Sequence, residues 1–375
     1  MLKFVSKAAI VVLLLKAVTA SAASNTTETA YINLGTATED FSILLSQLVI
    51  DIGRSEHKHV SRNFQVTGTR LVRRSKKSSW VEGNRLSFEA INGDEAKVVR
   101  QIHHDMITAA KHLPVKKLGT DVQLAFWLNL HNLTVISHVT DAYPVAQIDR
   151  LLFKSKDGQV ALYDRQFAEI DGRKWSLADI ENHIFTTWTD PLVMYGLFYG
   201  NIGSPNIRSR PYSADTVWLD LQDNAAEFIN SIRGTQIWGP RLAISEHYKR
   251  AAALFPDFDR DVKAHILSLI ENRRWHRNIS KAKTVSATVD NWRVADFYDG
   301  SPLRASRTFA KSFSPTGRFL TEFQNAPIHT RNLLVEIQQR NKRRNPQVRI
   351  EEIAPPRDNN PRDNNPRDNN PRDNK

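Results

Sequence analysis

Residues 120–139 read TDVQLAFWLNLHNLTVISHV, and placing this stretch on a helix puts apolar side chains on every side. Thr120, with Gln123 three residues later, forms the capping-box pattern that opens a helix. The pattern predicts a helix from Thr120 to about Val139, ending before Pro144. Because a helix that is apolar all round has to be enclosed by other elements, we predict that it lies at the centre of the core.

Further helices flank this one, and their boundary residues can be recognised. Asp94 is predicted to cap a helix that Pro114 ends, and Ser176 with Asp179 is predicted to cap a helix over residues 177–185. The other predicted helices cover residues 41–52, 215–232, 259–270 and 330–339. The predicted strands are short pieces within residues 60–91 and an aromatic-rich run at 195–199. The sequence therefore predicts an α+β fold, a helix-rich single globular domain with a small sheet.

The first 22 residues have the parts of an export signal. Lys3 and Lys7 precede an apolar run at residues 8–15, and Ala20-Ser21-Ala22 is a small-residue cleavage pattern. A membrane anchor needs about 20 apolar residues, which this run does not reach. We therefore predict cleavage after Ala22 and a periplasmic or secreted protein of Gram-negative type, with no transmembrane segment after cleavage.

Composition divides the 375 residues into five segments. We predict a signal peptide at 1–22, an N-terminal helix with short strands at 23–94, an α+β core at 95–300, a C-terminal helical extension at 301–354 and a disordered tail at 355–375. The tail repeats the unit PRDNN, in which proline is the only apolar residue. Such a segment cannot bury enough apolar surface to offset its ordering entropy.

The chain is basic and contains no cysteine. Without cysteine, disulfides, thiolate metal sites and a thiol nucleophile are excluded. The formal net charge is +12, with basic clusters at residues 70–77, 273–277 and 340–344. No nucleic-acid-binding motif accompanies these clusters, which favours a solvated surface and disfavours nucleic acid as a partner. An anionic component of the cell envelope, such as an acidic glycan or lipid headgroup, and a protein partner remain as alternatives.

The histidines do not predict a metal site. His103 and His104 are adjacent and therefore splay apart on a helix, and His131 and His138 have no carboxylate in register. We predict neither a metal nor another cofactor.

Four motifs carry a resemblance to a known family. They are AFWLNLHN at 125–132, YPV at 143–145, WSLADIE at 175–181 and GSPNIR at 203–208. In this order and spacing the chain resembles the family catalogued as domain of unknown function 547 (DUF547), over about residues 98–234 and weakly at 292–297. No reaction is established for that family. The resemblance implies an exported bacterial protein and a distant kinship with papain- or transglutaminase-like folds.

The chain departs from the family at the positions with the most reactive side chains. The replaced positions are Met194 (His in the family), Phe198 (Asn), Tyr199 and Ser204 (both Cys) and Asn182 (His). His183 is displaced by one residue from the family's histidine, which on a helix is a rotation of about 100°. If the family uses a Cys–His pair, both partners are missing here.

Several polar residues in these motifs are candidate site residues. Asn129 and Asn132 share one face of an apolar helix, so they either brace a neighbouring loop, which we favour, or form the polar floor of a cleft. The same two roles apply to Asn182, Asn206 and Arg208.

Glu181 and Ser204 complete the candidate residues. For Glu181 we predict a structural ion pair with Arg173 or Arg208. Ser204 is a candidate nucleophile only if a base such as Glu181 or His183 lies within about 3 Å. Our first hypothesis is a non-catalytic binding or envelope-associated protein, and the alternative is a hydrolase or transferase that uses Ser204.

Overall fold

The computed structural model describes residues 7–55, 57, 82–91, 93–155, 158–298 and 300, and it describes side chains from residue 28 onward. The C-terminal extension and the repeat tail predicted from the sequence lie outside these residues, as do most of the strand-like pieces predicted between residues 60 and 91. Within the described residues the protein is a helix-rich α+β domain with small sheets, which confirms the predicted fold class.

The elements follow one another as helices with short strands between them. The α-helices are α1 (Lys7–Leu48), α2 (Asp94–Lys111), α3 (Thr120–Ala142), α4 (Ile148–Leu152), α5 (Leu177–Thr187), α6 (Val217–Ile229), α7 (His247–Arg250), α8 (Phe258–Leu269) and α9 (Arg273–Ser280). The strands are β1 (Val49–Ile50), β2 (Arg85–Leu86), β3 (Ala168–Ile170), β4 (Arg173–Trp175), β5 (Thr235–Trp238), β6 (Arg241–Ser245) and β7 (Thr284–Val289). Short 3-10 helices span Phe88–Ala90, Val115–Lys117, Pro191–Gly196 and Ala252–Leu254.

Helix α3 forms the centre of the core, as its sequence predicts. Every residue from Leu124 to Ser137 is buried, including the large ring of Trp127. Helices α2, α5 and α6 pack around it. The predicted capping box is wrong, because the N-cap position is Gly119 and the Gln123 amide turns back to donate to the carbonyl of Leu118 at 2.7 Å.

The strands form three small sheets. β1 pairs with β2 and β3 with β4, both antiparallel. β5 and β6 are an antiparallel pair joined by a tight turn, and β7 adds parallel to β6 after a crossover through α7, α8 and α9. Residues Leu242–Ser245 of the central strand β6 are all buried, whereas each outer strand buries a single residue, Thr235 in β5 and Ala287 in β7.

The N-terminal part of the chain differs from its prediction. Residues 25–38 read as a polar leader before a helix over residues 41–52, yet α1 runs without a break through this region and ends at Leu48. Its buried side chains include Ala37, Phe41 and Leu45, which recur at helical spacing and face α2. Thr36 and Thr38 fit this helix because their hydroxyls donate to carbonyls four residues earlier. Other helices begin or end a few residues from the predicted bounds.

The run at 195–199 is not a strand. Its first residues end the 3-10 helix Pro191–Gly196, which Asp190 caps by accepting a hydrogen bond from the backbone of Leu192 at 2.9 Å. The residues that follow pair with a side chain of α3 in place of a neighbouring strand, since the Phe198 amide donates to Asn132 Oδ1 at 2.9 Å. Alternating aromatic residues therefore give a misleading strand pattern here.

Two buried amides of α3 hold the loop at residues 196–212, which we call the motif loop. Asn132 Nδ2 donates to the Gly196 carbonyl at 2.9 Å, in addition to accepting from Phe198. Asn129 bonds to both backbone groups of Tyr212, donating to its carbonyl at 2.9 Å and accepting from its amide at 2.8 Å. The two asparagines thus fix the two ends of the loop that carries Ser204, Asn206 and Arg208.

Replacing Asn132 by alanine is expected to destabilise the fold by about 1–3 kcal/mol, because it leaves the buried backbone groups of Gly196 and Phe198 without partners. The free energy of unfolding from urea titrations measures the effect. Asn182→Ala on the exposed side of α5 is the matched control and should change it by less than about 0.5 kcal/mol. Equal effects of the two substitutions would contradict a bracing role.

Candidate functional site

Ser204 lies buried in the motif loop. Its hydroxyl donates to the Asn201 carbonyl at 2.8 Å, and in the described part of the chain neither a histidine nor a carboxylate hydrogen-bonds to it. Glu181 and His183, the bases considered from the sequence, have other partners. The backbone here is closely packed, because a Cβ on Gly203 would lie 2.8 Å from the backbone nitrogen of Asn291. This arrangement supplies no group that could activate the Ser204 hydroxyl.

Glu181 lies at the centre of a second group, which we call the tyrosine–arginine cluster (Glu181, Tyr199, Arg250 and Tyr163). The Tyr199 hydroxyl donates to Glu181 Oε2 at 2.6 Å, and Arg250 Nε lies 3.2 Å from Glu181 Oε1. The Arg250 guanidinium also lies over the ring of Tyr163, 4.4 Å from its centroid. The predicted ion pair of Glu181 with Arg173 or Arg208 is therefore wrong, since Arg250 is its partner from a helix 69 residues away.

The two arginines predicted for Glu181 have nearer carboxylates. Arg173 pairs with Asp179 in the first turn of α5 at 2.8 Å, and Arg208 pairs with Asp220 of α6 at 2.9 Å. Asp179 was already recognised as a cap residue, and its second oxygen accepts from the Ser176 amide. Both arginines therefore pair with carboxylates nearer in the fold than Glu181, and Arg208 Nε keeps no partner among the described residues.

Burial and nearby charges set the protonation states in and around the tyrosine–arginine cluster. Burial and the charge of Glu181 raise the pKa of Tyr199 far above its usual value, so its hydroxyl stays protonated. His131 contacts the Tyr199 ring edge-on at 5.5 Å, and His247 stacks on it at 4.7 Å. Burial lowers the pKa of His131 to about 4 and that of His247 to about 3, so both imidazoles are neutral at neutral pH. The protonated phenol of Tyr199 therefore lies between two neutral imidazoles and donates its proton to the hydrogen bond with Glu181.

His183 and Asn182 lie on α5 away from these groups. His183 is half-buried among tryptophan rings, with its centroid 5.2 Å from Trp127 and 5.3 Å from Trp175. Burial lowers its pKa, and the positive charge of Arg173 adds to this shift. Asn182 is exposed. Neither side chain joins Ser204 in one site.

The second half of the motif loop borders an open cavity of about 200 Å³, which we call the polar cavity. Its lining residues are Asp51, Gly53, Arg54, Asn84, Asn206, Arg208, Ser209, Asp223, Asn224 and Glu227. Two of these, Asn206 and Arg208, are candidate site residues from the sequence. Charges of both signs line the cavity, so it suits a small polar molecule that carries charge.

Asn206 is fixed by hydrogen bonds from two directions. Its Oδ1 accepts from the backbone of Asn84 at 2.8 Å and from Arg233 Nη2 at 3.0 Å. Its Nδ2 makes no hydrogen bond to any residue that the structure describes. An amide held in one orientation with a spare donor at a cavity wall can bind an anionic or carbonyl oxygen.

Arg208 is fixed by Asp220. The Asp220 carboxylate is buried and also pairs with Arg210 at 2.6 Å, and it accepts from the Thr216 hydroxyl at 2.9 Å. The Arg208 side chain retains 17% of its accessible surface, so part of the guanidinium faces the cavity. Because its orientation is set before a ligand arrives, binding would lose little side-chain entropy.

Three buried charged residues form a group at the polar cavity, with Glu227 in its wall and Arg233 and Glu82 behind it. Arg233 pairs with Glu227, whose other oxygen accepts from the Ser55 hydroxyl at 2.7 Å. Glu82 accepts hydrogen bonds from the backbone amides of Ile232 and Arg233 at 3.1 and 3.3 Å. Sequence reasoning missed this buried acid–arginine group, since its members lie up to 151 residues apart and follow no motif.

The stability of the protein should depend on pH through Glu82. Burial raises the pKa of Glu82 from 4.5 to about 7, against the lowering effect of Arg233. The native state therefore binds more protons than the unfolded chain between these values, and its free energy of unfolding should fall by up to about 3 kcal/mol as pH rises from 4.5 to 7. Urea titrations at several pH values measure this fall.

In Glu82→Gln this part of the pH dependence should be absent, while Glu95→Gln, an exposed substitution on α2, should retain the wild-type profile. Parallel profiles for wild type and Glu82→Gln would show that Glu82 does not titrate in this range.

Three structural findings concern surface charge, metal binding and membranes. The basic residues Arg273, Arg274 and Arg277 are exposed on α9, and the other two basic clusters lie outside the described residues. Within the described ranges, no group of three or more acidic or histidine side chains is placed to hold a metal ion. No helix in that part of the chain combines the length and hydropathy needed to cross a bilayer.

Comparison with known proteins gives one match. The sequence profile described as "Protein of unknown function, DUF547" matches residues 115–229, which confirms the resemblance over that segment. The matched segment contains α3, α5, the motif loop and α6. No curated protein and no solved structure shows significant similarity to the chain.

Proposed function

We propose that this chain is an exported, non-catalytic protein that binds a small charged molecule in the polar cavity. The observation that carries the proposal is that Asn206 and Arg208, both in the matched family segment, are held rigidly at the wall of an open cavity. Residues fixed in this way by buried partners are typical of binding sites, which lose little entropy when a ligand arrives.

The family's two cysteine positions support a non-catalytic role. Tyr199 fills the first with a ring between two histidines and a hydroxyl bonded to Glu181. Ser204 fills the second with a hydroxyl bonded to a backbone carbonyl. The alternative, a hydrolase or transferase that uses Ser204, requires a base at hydrogen-bond distance, and neither of the two bases considered for it hydrogen-bonds to Ser204.

The export part of the proposal rests on the sequence of residues 1–22. The described side chains of α1 that pack into the core, such as Ala30 and Phe41, all follow the predicted cleavage site at Ala22. Cleavage would therefore leave these core contacts in place.

Expression of the full chain in a Gram-negative host should give a mature protein in the periplasmic fraction whose first residue is Ala23. Osmotic-shock fractionation followed by N-terminal sequencing measures this outcome. Substituting Ala20 and Ala22 by large charged residues should block processing, because the peptidase requires small residues there. An uncleaved wild-type chain that stays in the cytoplasm would refute export.

Binding can be tested with a panel of amino acids, short peptides and small carboxylates, using saturation-transfer NMR and calorimetry. We expect at least one charged compound to bind, and Arg208→Gln to weaken it by tenfold or more. Ser209→Trp should also block it, since Ser209 lines the cavity and makes no interaction that the substitution would break.

Ser204→Ala is the matched control, because the Ser204 hydroxyl does not line the polar cavity. It should leave binding unchanged, and a fluorophosphonate should not label Ser204 in the wild-type chain. Labelling of Ser204, or turnover that Ser204→Ala abolishes, would favour the hydrolase alternative. A panel in which nothing binds would reject the cavity as the site.

A further inference from the structure

A second groove adjoins the polar cavity and has a different character. It has a volume of about 360 Å³ and is lined by Arg54, Leu219, Gln222, Asp223, Ala226, Ser268, Leu269, Ile270 and Glu271. We call it the mixed groove, because apolar side chains from α6 and α8 alternate with polar ones. Leu219 exposes 67% of its surface there, so a ligand in the groove could bury an apolar side chain against it.

Arg54 and Asp223 line both spaces, so their ion pair forms the wall between them. Arg54 Nη2 lies 3.0 Å from Asp223 and Nη1 lies 2.8 Å from Glu271. All three side chains are more than half exposed, and ion pairs at such positions contribute about 0–1 kcal/mol. A ligand carboxylate can therefore replace Asp223 as a partner of Arg54 at little cost.

The backbone on either side of Arg54 is held by hydrogen bonds from its neighbours. The amide of Ile52 donates to Asn84 Oδ1 at 3.0 Å, and the Ser55 hydroxyl donates to Glu227 at 2.7 Å. Arg54 therefore has a defined position between the polar cavity and the mixed groove.

We infer that the polar cavity and the mixed groove together bind a short peptide with a free C-terminal carboxylate and an apolar C-terminal side chain. This inference rests on the proposed function. The carboxylate lies in the polar cavity, where Arg208, Asn206 Nδ2 and Arg54 are the donors. The apolar side chain lies in the mixed groove against Leu219 and Ile270.

The mixed groove favours a peptide over other carboxylates. Gln222, Ser268 and Glu271 offer donors and acceptors that a peptide backbone can pair with, whereas an alkyl chain would bury them without partners. A free amino acid would leave most of the groove empty. The acidic residues Asp223 and Glu271, which line the mixed groove, suit the positive amino terminus of a short peptide.

Calorimetry on the purified chain with the dipeptides Ala-Leu, Ala-Ser and Ala-Leu amide tests the inference. We expect Ala-Leu to bind, the amide to bind at least tenfold more weakly because it lacks the carboxylate, and Ala-Ser to bind about tenfold more weakly because its side chain leaves the groove unfilled. A fatty acid or free leucine that binds as tightly as Ala-Leu would overturn the peptide assignment.

Leu219→Asp separates the two halves of the site. Leu219 is exposed, so the variant should fold, and it should lose the preference for Ala-Leu over Ala-Ser while keeping the preference for a free carboxylate. Val160→Asp is the matched control, since Val160 is also exposed and lies in neither space. It should keep both preferences.

The experiments distinguish a wrong role for the mixed groove from a wrong role for the polar cavity. Equal binding of Ala-Leu and Ala-Ser, lost in Arg208→Gln, would overturn the role of the mixed groove and leave the polar cavity as a binding site. Absence of binding for the dipeptides and for every other charged compound in the panel would overturn the proposed function as well.

Discussion

The hydrogen bonds from Asn129 and Asn132 to the motif loop are the constraint on which the candidate site depends. Most of the motif loop is irregular and buried, so its backbone groups lack the partners that a helix or strand would supply. Two amides on adjacent turns of α3 supply partners at both ends of the loop. Because α3 is enclosed on all sides, these amides are rigid, and the positions of Tyr199, Ser204 and Arg208 follow from theirs.

The resemblance implies two cysteine positions in the matched segment, and in this chain the residues at both positions make hydrogen bonds. At the first cysteine position, the Tyr199 ring fills the space between His131 and His247, and its hydroxyl satisfies the buried carboxylate of Glu181. At the second, Ser204 closes a local turn. Both hydroxyls therefore have hydrogen-bond partners, whereas Nε2 of His131 and Nδ1 of His247, beside the Tyr199 ring, have none among the described residues.

The sequence predicts those parts of the fold that depend on local pattern. The apolar residues on every side of α3 predict its central position, and Ser176 with Asp179 predicts the start of α5. The partners of Glu181 and Glu82 could not be predicted, because Arg250 and Arg233 are distant in sequence and any of the chain's many arginines fits the chemistry. The sequence therefore predicts the site residues of the motif loop, but it does not predict the distant residues that hold them in place.

The buried charges behind the polar cavity explain why that loop is held so firmly. Burying Glu82, Glu227 and Arg233 costs free energy, and such groups are often no more stabilising than apolar residues of the same size. Unlike apolar residues of the same size, these charged groups also fix the orientation of a neighbouring polar side chain. Arg233 donates to Asn206 Oδ1 while bound to Glu227, so the amide of Asn206 has one orientation, with Nδ2 as its remaining donor. The charges that weaken the core thus define the polarity of the cavity wall, which is what recognition of a charged ligand requires.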